Sequence, residues 1–362
     1  MGILRTLLAI SVVFAHIPYP FLVGGRYAVQ IFYLISGFLI SYVLVERKSY
    51  SSARRFYLNR YLRLFPVYAL VALLTLLVWL SFGFLGQEAP FLNVYKEAPG
   101  SAQLLLVFSN LTIFFQDWVM FCGVDKHRLV FSTNFLKSEV VLWPGLLVPQ
   151  AWTLGVELTF YLCAPFILFK RNLLYLLFAL SCLVRVSIFS LGLGFQDPWT
   201  YRFFPAELAL FLLGTFSHQL LLPFYRRLIS PQKTQVVCTL ATLFLCFFTM
   251  FFLTMPLREM IKAPLLFIFF FFLLPFAFIF QSRHSWDQWI GDLSYPIYIS
   301  HSLVFLLGHL SFEKLGADKS LFNLACLVGT GFVAYLLKTF VADPFESFRN
   351  RFRNSLFIPT QL

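Results

Sequence analysis

Arg5 and His16 both fall in the first apolar run of the chain, Met1 to Ile17, where an ionisable side chain is expensive to hold. Eleven positions apart, about three helical turns, they would share one face, roughly 20° out of register and about 16 Å apart along the axis. A guanidinium near the membrane surface and an imidazole deeper on the same face suit a slot that grips an anion and works on what the anion carries. A neutral imidazole, the form favoured away from water, is the form a general base needs. The same pair also reads as a snorkelling arginine and a hydrogen-bonded packing histidine.

Three further groups have chemical potential. Arg60 and Arg63, in the stretch Phe56 to Pro66, are three apart and share a helix face. Two converging guanidinium forks suit a polyphosphate; the ordinary basic charge of a cytoplasmic loop accounts for them as well. Glu157 and Tyr161 are i,i+4 neighbours in the stretch Ala151 to Tyr161. A lone carboxylate in an apolar run marks a polar cavity, where it could orient an imidazole or bind a sugar hydroxyl. Trp152 reads as an interfacial anchor or as a stacking platform for a sugar ring. Ser294, Tyr298 and His301 fall on one stripe, a polar packing seam or a substrate wall. Arg185, Glu207, His218 and His309 are read as structural. The six cysteines form no C-x-x-C pair and mostly lie in apolar runs, so they read as small buried hydrophobes. There is no P-loop, zinc motif, G-x-S-x-G or haem pattern, and no metal is expected.

The scaffold that must position these residues is a membrane protein. Of 362 residues, 59% are hydrophobic and 12% charged, with a mean hydropathy of +0.79, whereas a soluble domain carries about 25% charged residues. The expected fold is all-α and integral to the membrane, with about ten transmembrane helices near 3–20, 28–46, 64–85, 150–169, 172–192, 203–222, 235–255, 264–281, 290–310 and 321–342. Basic clusters follow the even-numbered runs, at Arg47 to Arg63, Lys170-Arg171, Arg226 to Lys233, Arg283-His284 and Arg349 to Arg353. The positive-inside rule then puts both termini in the cytoplasm. The net charge of +12 reads as loop charge of this kind rather than as a nucleic-acid footprint. The first run lacks an A-x-A site and reads as an uncleaved span. A further apolar stretch, 101–121, would reverse every later basic patch if it crossed. It is therefore placed outside, as a re-entrant or interfacial segment of one large extracytoplasmic region, 86–149. Residues 1–350 read as a single membrane domain and 351–362 as a basic cytoplasmic tail, with no internal repeat and no appended soluble domain.

Taken in order, these pieces resemble the acyltransferase type 3 family of integral membrane acyltransferases. Its Arg-x10-His signature is matched by Arg5 and His16, and its Arg-x-x-Arg signature by Arg60 and Arg63, followed by Leu64 and Pro66. Its Trp-Ser-Leu-x-x-Glu-Glu-x-x-Tyr block is similar to Trp152 to Tyr161. A Ser-Gly-Phe stretch corresponds to Phe32 to Phe38, with Ser36 and Gly37, and a Ser-Tyr-x-x-Tyr-x-x-His element to Ser294, Tyr295, Tyr298 and His301. Asp343-Pro344-Phe345 is similar to its acidic-Pro-Phe ending. Two departures stand out: Thr153 replaces the usual Ser, and Leu158 the second Glu, so any role needing two carboxylates falls to Glu157 alone.

The resemblance implies a ten-span enzyme of the bacterial inner membrane that uses cytoplasmic acyl-CoA, usually acetyl-CoA, to acylate a hydroxyl of an extracytoplasmic carbohydrate such as O-antigen or exopolysaccharide. Arg5, Arg60 and Arg63 would hold the nucleotide phosphates. His16 would act as general base, directly or through an acyl-imidazole, and Glu157 would orient it or position the acceptor. Ser36, Trp152, Tyr161, Tyr298 and His301 would line the substrate path. The competing reading is a multi-span transporter or flippase for a glycan or lipid-linked sugar. That reading calls for internal repeats or broken helices at matching positions, and the sequence has neither.

Overall fold

Apolar runs of this length, with backbone groups that find no partner in lipid, must close their hydrogen bonds internally, and helices do so. The computed structural model describes residues 1–17, 21–315 and 319–352. Its helices are, in chain order, α1 (Gly2–Phe14), α2 (Gly25–Ser41), α3 (Ala53–Phe84), α4 (Pro90–Glu97), α5 (Gly100–Thr112), α6 (Gln116–Val119), α7 (Trp152–Ile167) and α8 (Arg171–Ser190). They continue with α9 (Phe204–Phe216), α10 (Leu222–Leu228), α11 (Pro231–Phe251), α12 (Glu259–Arg283), α13 (Ser285–Asp292), α14 (Ser294–Leu315), α15 (Lys319–Leu337) and α16 (Asp343–Asn350). π-helical turns at Tyr42–Glu46, Ser217–Leu221 and Lys338–Ala342 extend α2, α9 and α15. The end of the first predicted run, 18–20, and the tail from Arg353 onward lie outside the described residues.

The chain is an all-α, multi-pass membrane protein. Among the described residues, eight helical stretches are long and apolar enough to cross a bilayer: Gly25–Glu46, Ala53–Phe84, Arg171–Ser190, Phe204–Leu228, Gln232–Phe251, Glu259–Arg283, Ser285–His309 and Ser320–Asn350. The other two predicted runs form α1 and α7, of 13 and 16 residues. At 1.5 Å per residue these are about 20 and 24 Å long, short of a hydrocarbon core of about 30 Å. Their burial explains the difference. Leu4, Leu8 and Ala9 of α1 and Val156, Phe160 and Ala164 of α7 have no exposed surface. Helices enclosed by others need not match lipid thickness. Outer helices do the reverse: Leu176, Leu183 and Val186 of α8, Leu240, Leu243 and Phe247 of α11, and Val328 and Phe332 of α15 are exposed.

The inner helices are locked at both ends of the sequence. Asp287 of α13 accepts hydrogen bonds from the backbone N–H groups of Gly2 (2.7 Å) and Ile3 (2.8 Å), capping α1 from another helix. Helices α2 and α9 approach closely enough to demand glycine: a Cβ on Gly37 would lie 1.8 Å from the Phe211 carbonyl oxygen, and one on Gly214 would lie 1.9 Å from that of Leu34. Small residues at such crossings are the usual currency of helix packing in membranes.

The run 101–121 does not continue as one helix. α5 stops at Ile113, whose φ is 69°, and Phe115 is again left-handed at 64°. Around this reversal Phe114 lies parallel to Tyr61 at 6.5 Å, and Gln116 donates to the Tyr68 hydroxyl (2.6 Å), which donates in turn to the Asn110 carbonyl (2.9 Å). Tyr61 belongs to the first third of α3, so the segment descends alongside that helix and turns back. Leu104, Phe108, Leu111 and Trp118 form its exposed apolar face. Beyond it lies a small antiparallel sheet that the sequence did not announce, with β1 (Cys122–Asp125) between β2 (Arg128–Phe131) and β3 (Val140–Val141). Lys126 and His127 make the β1–β2 turn with φ of 50° and 56°, the double left-handed geometry that tight hairpins favour.

Candidate functional site

The predicted residues converge on a cavity enclosed by α1, α2, α3, α7 and α14. Arg5 comes from the first turns of α1, Ser36 from α2, Arg60 and Arg63 from α3, Glu157 and Tyr161 from α7, and Tyr298 from α14; all line one chamber of about 790 Å³. The Glu157 carboxylate accepts short hydrogen bonds from the Ser36 and Tyr161 hydroxyls. The i,i+4 spacing of Glu157 and Tyr161 foretold the second; the first bridges residues 121 positions apart. On the opposite wall the Tyr298 hydroxyl sits 2.8 Å from both Thr153 Oγ1 and the Gln150 carbonyl oxygen, and the Tyr295 hydroxyl donates to the Leu64 carbonyl (2.6 Å). Thr153 thus keeps the hydroxyl of the serine it replaces, and that hydroxyl holds a chamber tyrosine in place.

A second cavity, of about 1340 Å³, opens at the end of the bundle that carries the basic clusters. Arg5, Leu39, Arg63 and Tyr295 line both cavities, so the two adjoin. Arg47, Lys338 and Arg349 add positive charge to this vestibule, and Asp292, Asp343 and Glu346 add negative charge. In the sequence Arg47 and Arg349 read only as topogenic charge, and nothing there singles out Lys338 or Asp292. The clue lay in the Asp343-Pro344-Phe345 ending: Asp343 pairs with Lys338 (2.7 Å) and Phe345 lines the vestibule wall. Asn59 Nδ2 donates to the Arg349 carbonyl (2.8 Å), tying α16 to the base of α3. A third, mostly apolar cavity between α3 and α7 shares Arg60 and Tyr161 with the chamber.

Three predicted site residues do not line the chamber. Trp152 is buried beyond it, with the Arg202 guanidinium 4.1 Å over its indole and Tyr201 edge-on at 5.2 Å. One face of the ring is therefore already covered by a cation. Arg202 is itself paired with Asp197; nothing in its sequence context marked it. His301 is fully buried one turn past Tyr298. His16 lies in the turn that follows α1 rather than on the helix, is exposed, and sits at the end of the bundle opposite the vestibule. Its ring centre is 4.8 Å from that of His301. Tyr298, which lines the chamber together with Phe32, has its ring centre 6.3 Å from that of Phe32 and 6.1 Å from that of His301. Among the described residues no group of three or more His, Cys, Asp or Glu could hold a metal ion.

A family model described as an acyltransferase domain matches residues 1–339. The chain belongs to that family. This membrane acyltransferase is 25% identical over 330 residues, 84% of its length, to the peptidoglycan O-acetyltransferase OatA of Listeria monocytogenes, and it spans about half (49%) of that relative. It is also 24% identical over 215 residues, 57% of its length and 91% of the relative, to a protein of Aquifex aeolicus described only as uncharacterised. No solved structure matches the chain. The match places Arg5, His16, Arg60, Arg63 and Glu157 inside the family region.

Proposed function

We propose that this acyltransferase takes an acetyl group from acetyl-CoA at the basic end of the bundle and delivers it to a carbohydrate hydroxyl that approaches from the opposite face of a bacterial inner membrane. The observation that carries the reading is that the vestibule and the chamber adjoin, with Arg5 and Arg63 lining both. A nucleotide diphosphate in the vestibule would meet Arg5, Arg63, Arg47 and Lys338, with Arg60 behind them; guanidinium forks suit such oxyanions. A narrow thioester arm would extend past Arg5 into the chamber beside Ser36, Glu157 and Tyr161. The name of the Listeria relative, an O-acetyltransferase acting on peptidoglycan, supports both the acetyl group and a carbohydrate-bearing acceptor.

His16 is the proposed base. Its Nδ1 is 2.9 Å from the Val12 carbonyl oxygen, so Nδ1 carries the hydrogen and Nε2 keeps a lone pair. The proton of the acceptor hydroxyl goes to Nε2, the oxygen attacks the thioester carbonyl, the C–S bond breaks, and the thiolate leaves and takes up the proton. Reaction requires the thioester to extend from the chamber past Tyr298, the chamber residue beside His301, to reach the histidine. Glu157, held by Ser36 and Tyr161, positions the substrates on the chamber side. Purified wild type and His16→Ala, each given labelled acetyl-CoA and acceptor glycan, test the assignment. Loss of at least about a hundredfold in transfer with CoA still bound is expected for loss of a general base; an undiminished rate would remove His16 from the mechanism.

A further inference from the structure

His301 is a buried polar side chain that the proposed mechanism leaves unexplained. Its Nδ1 is 2.7 Å from the Tyr298 carbonyl oxygen, so Nδ1 bears the hydrogen and Nε2 is an acceptor. That Nε2 is buried and has no hydrogen-bond partner among the described residues. Leaving a buried acceptor unpaired is costly, and such a group calls for an explanation. His16, facing it from the turn after α1, is fixed in the same tautomer by Val12. Two neighbouring imidazoles therefore each offer a lone pair, and neither offers a hydrogen to the other. Their ring centres are 4.8 Å apart; two imidazoles joined through one N–H···N bond have centres about 5 Å apart, from the length of such a bond and the ring radii.

From this geometry we infer that His16 and His301 work as a single base holding one proton, with His301 the positioning partner. This rests on the reading of His16 as the base. When the acceptor O–H bond breaks, its proton bonds to His16 Nε2, and the new N–H⁺ donates to the bare Nε2 of His301. The proton passes to the departing thiolate at the end of the cycle, so the pair returns to its starting state. The hydrogen bond exists only once the proton has moved, so it stabilises the charge-separated transition state more than the ground state. Among the described residues, the polar groups around His301 are already engaged elsewhere. Tyr298, on the same helix, has its ring centre 6.1 Å away and its hydroxyl bound to Thr153 and Gln150. Gln150, from the segment before α7, donates to the Ile299 carbonyl and accepts from Ser302. Among the described residues, the titratable rings packed against His301 are His16 and Tyr298.

The test compares His301→Leu, which removes the lone pair, with His301→Gln, which retains a side-chain oxygen. His301→Leu is expected to lower kcat by about ten- to a hundredfold while the KM for acetyl-CoA stays unchanged. The acid limb of its pH–rate profile moves to lower pH by about one unit, because the base loses the partner that stabilises its protonated form. His301→Gln falls between this variant and wild type in both readouts. If His301→Leu does not fold, His301→Gln alone decides: the amide oxygen is a weaker acceptor than imidazole, so its acid limb still moves down. A folded, slowed variant with an unmoved limb, equal losses in both variants, or wild-type kcat in His301→Leu would overturn the inference. His16→Ala, run beside them, separates the outcomes: full activity there would remove the underlying base assignment whatever His301 does.

Discussion

The side chains with the sharpest chemistry divide into those whose partners are local and those whose partners are not. The link from Glu157 to Tyr161 was legible because i,i+4 neighbours meet on any helix. The link from Ser36 to Glu157, the bare Nε2 of His301 and the cover of Arg202 over Trp152 were not, because each depends on which helices become neighbours. Asp117 is a further example outside the spanning helices. One of its carboxylate oxygens is buried and unpartnered, and the other wall of its site is Gly155, where a Cβ would lie 2.5 Å from Oδ1. Burial pushes the Asp117 carboxyl up from 3.8 to about 7, although hydrogen bonds from its own backbone and that of Trp118 pull the other way. Between these values the folded state holds a proton that the unfolded state has released. Stability therefore falls as pH rises through the interval and levels off above about 7. Asp117→Asn removes the ionisable group, so it should raise the melting temperature of the detergent-solubilised protein at pH 8, by a stability gain of about 1–4 kcal/mol, and by only about a third as much at pH 5, part-way through the interval. An equal change at both pH values would show that the carboxyl does not titrate as described.

At the level of elements, apolar run length and loop charge revealed the order of the helices, because lipid imposes both. The same signals explain why 101–121 was kept from crossing, and the left-handed residues Ile113 and Phe115 are where it reverses. Helix lengths were less legible. α1, and α7 apart from Leu162 and Phe166, are packed among other helices, and that packing is a tertiary fact. The small sheet went unseen because strands of two to four residues leave no usable alternation. The α2–α9 seam makes a direct prediction. A methyl group on Gly214 would meet the Leu34 carbonyl oxygen at 1.9 Å and the Phe38 nitrogen at 2.8 Å. Backbone atoms cannot swing aside, so Gly214→Ala should part the helices and cost about 1–3 kcal/mol or more, the range for overpacking. Thermal unfolding in detergent reads this directly, and an unchanged melting temperature would mean that the seam is looser than drawn. Since α2 carries Ser36, the same variant should also lose transferase activity.

Across the whole molecule, a basic vestibule lies at one end and a histidine pair at the other, with the chamber lined by Arg5, Glu157 and Tyr298 between them. A transporter would carry its cargo through such a path. An acyltransferase needs only the thioester arm and the acceptor hydroxyl to meet within it, while the nucleotide stays at the arginines. The central claim is therefore vectorial: donor and acceptor are used from opposite sides of the membrane. Unilamellar vesicles containing the protein in a single orientation, with labelled acetyl-CoA sealed against the face that carries Arg47, Arg63 and Lys338 and acceptor glycan supplied only at the face that carries His16, measure this directly. The account predicts esterified label on the glycan, dependent on His16, with CoA retained on the donor side. Label transferred only when donor and acceptor share one compartment, or intact acetyl-CoA crossing to the acceptor side, would contradict it.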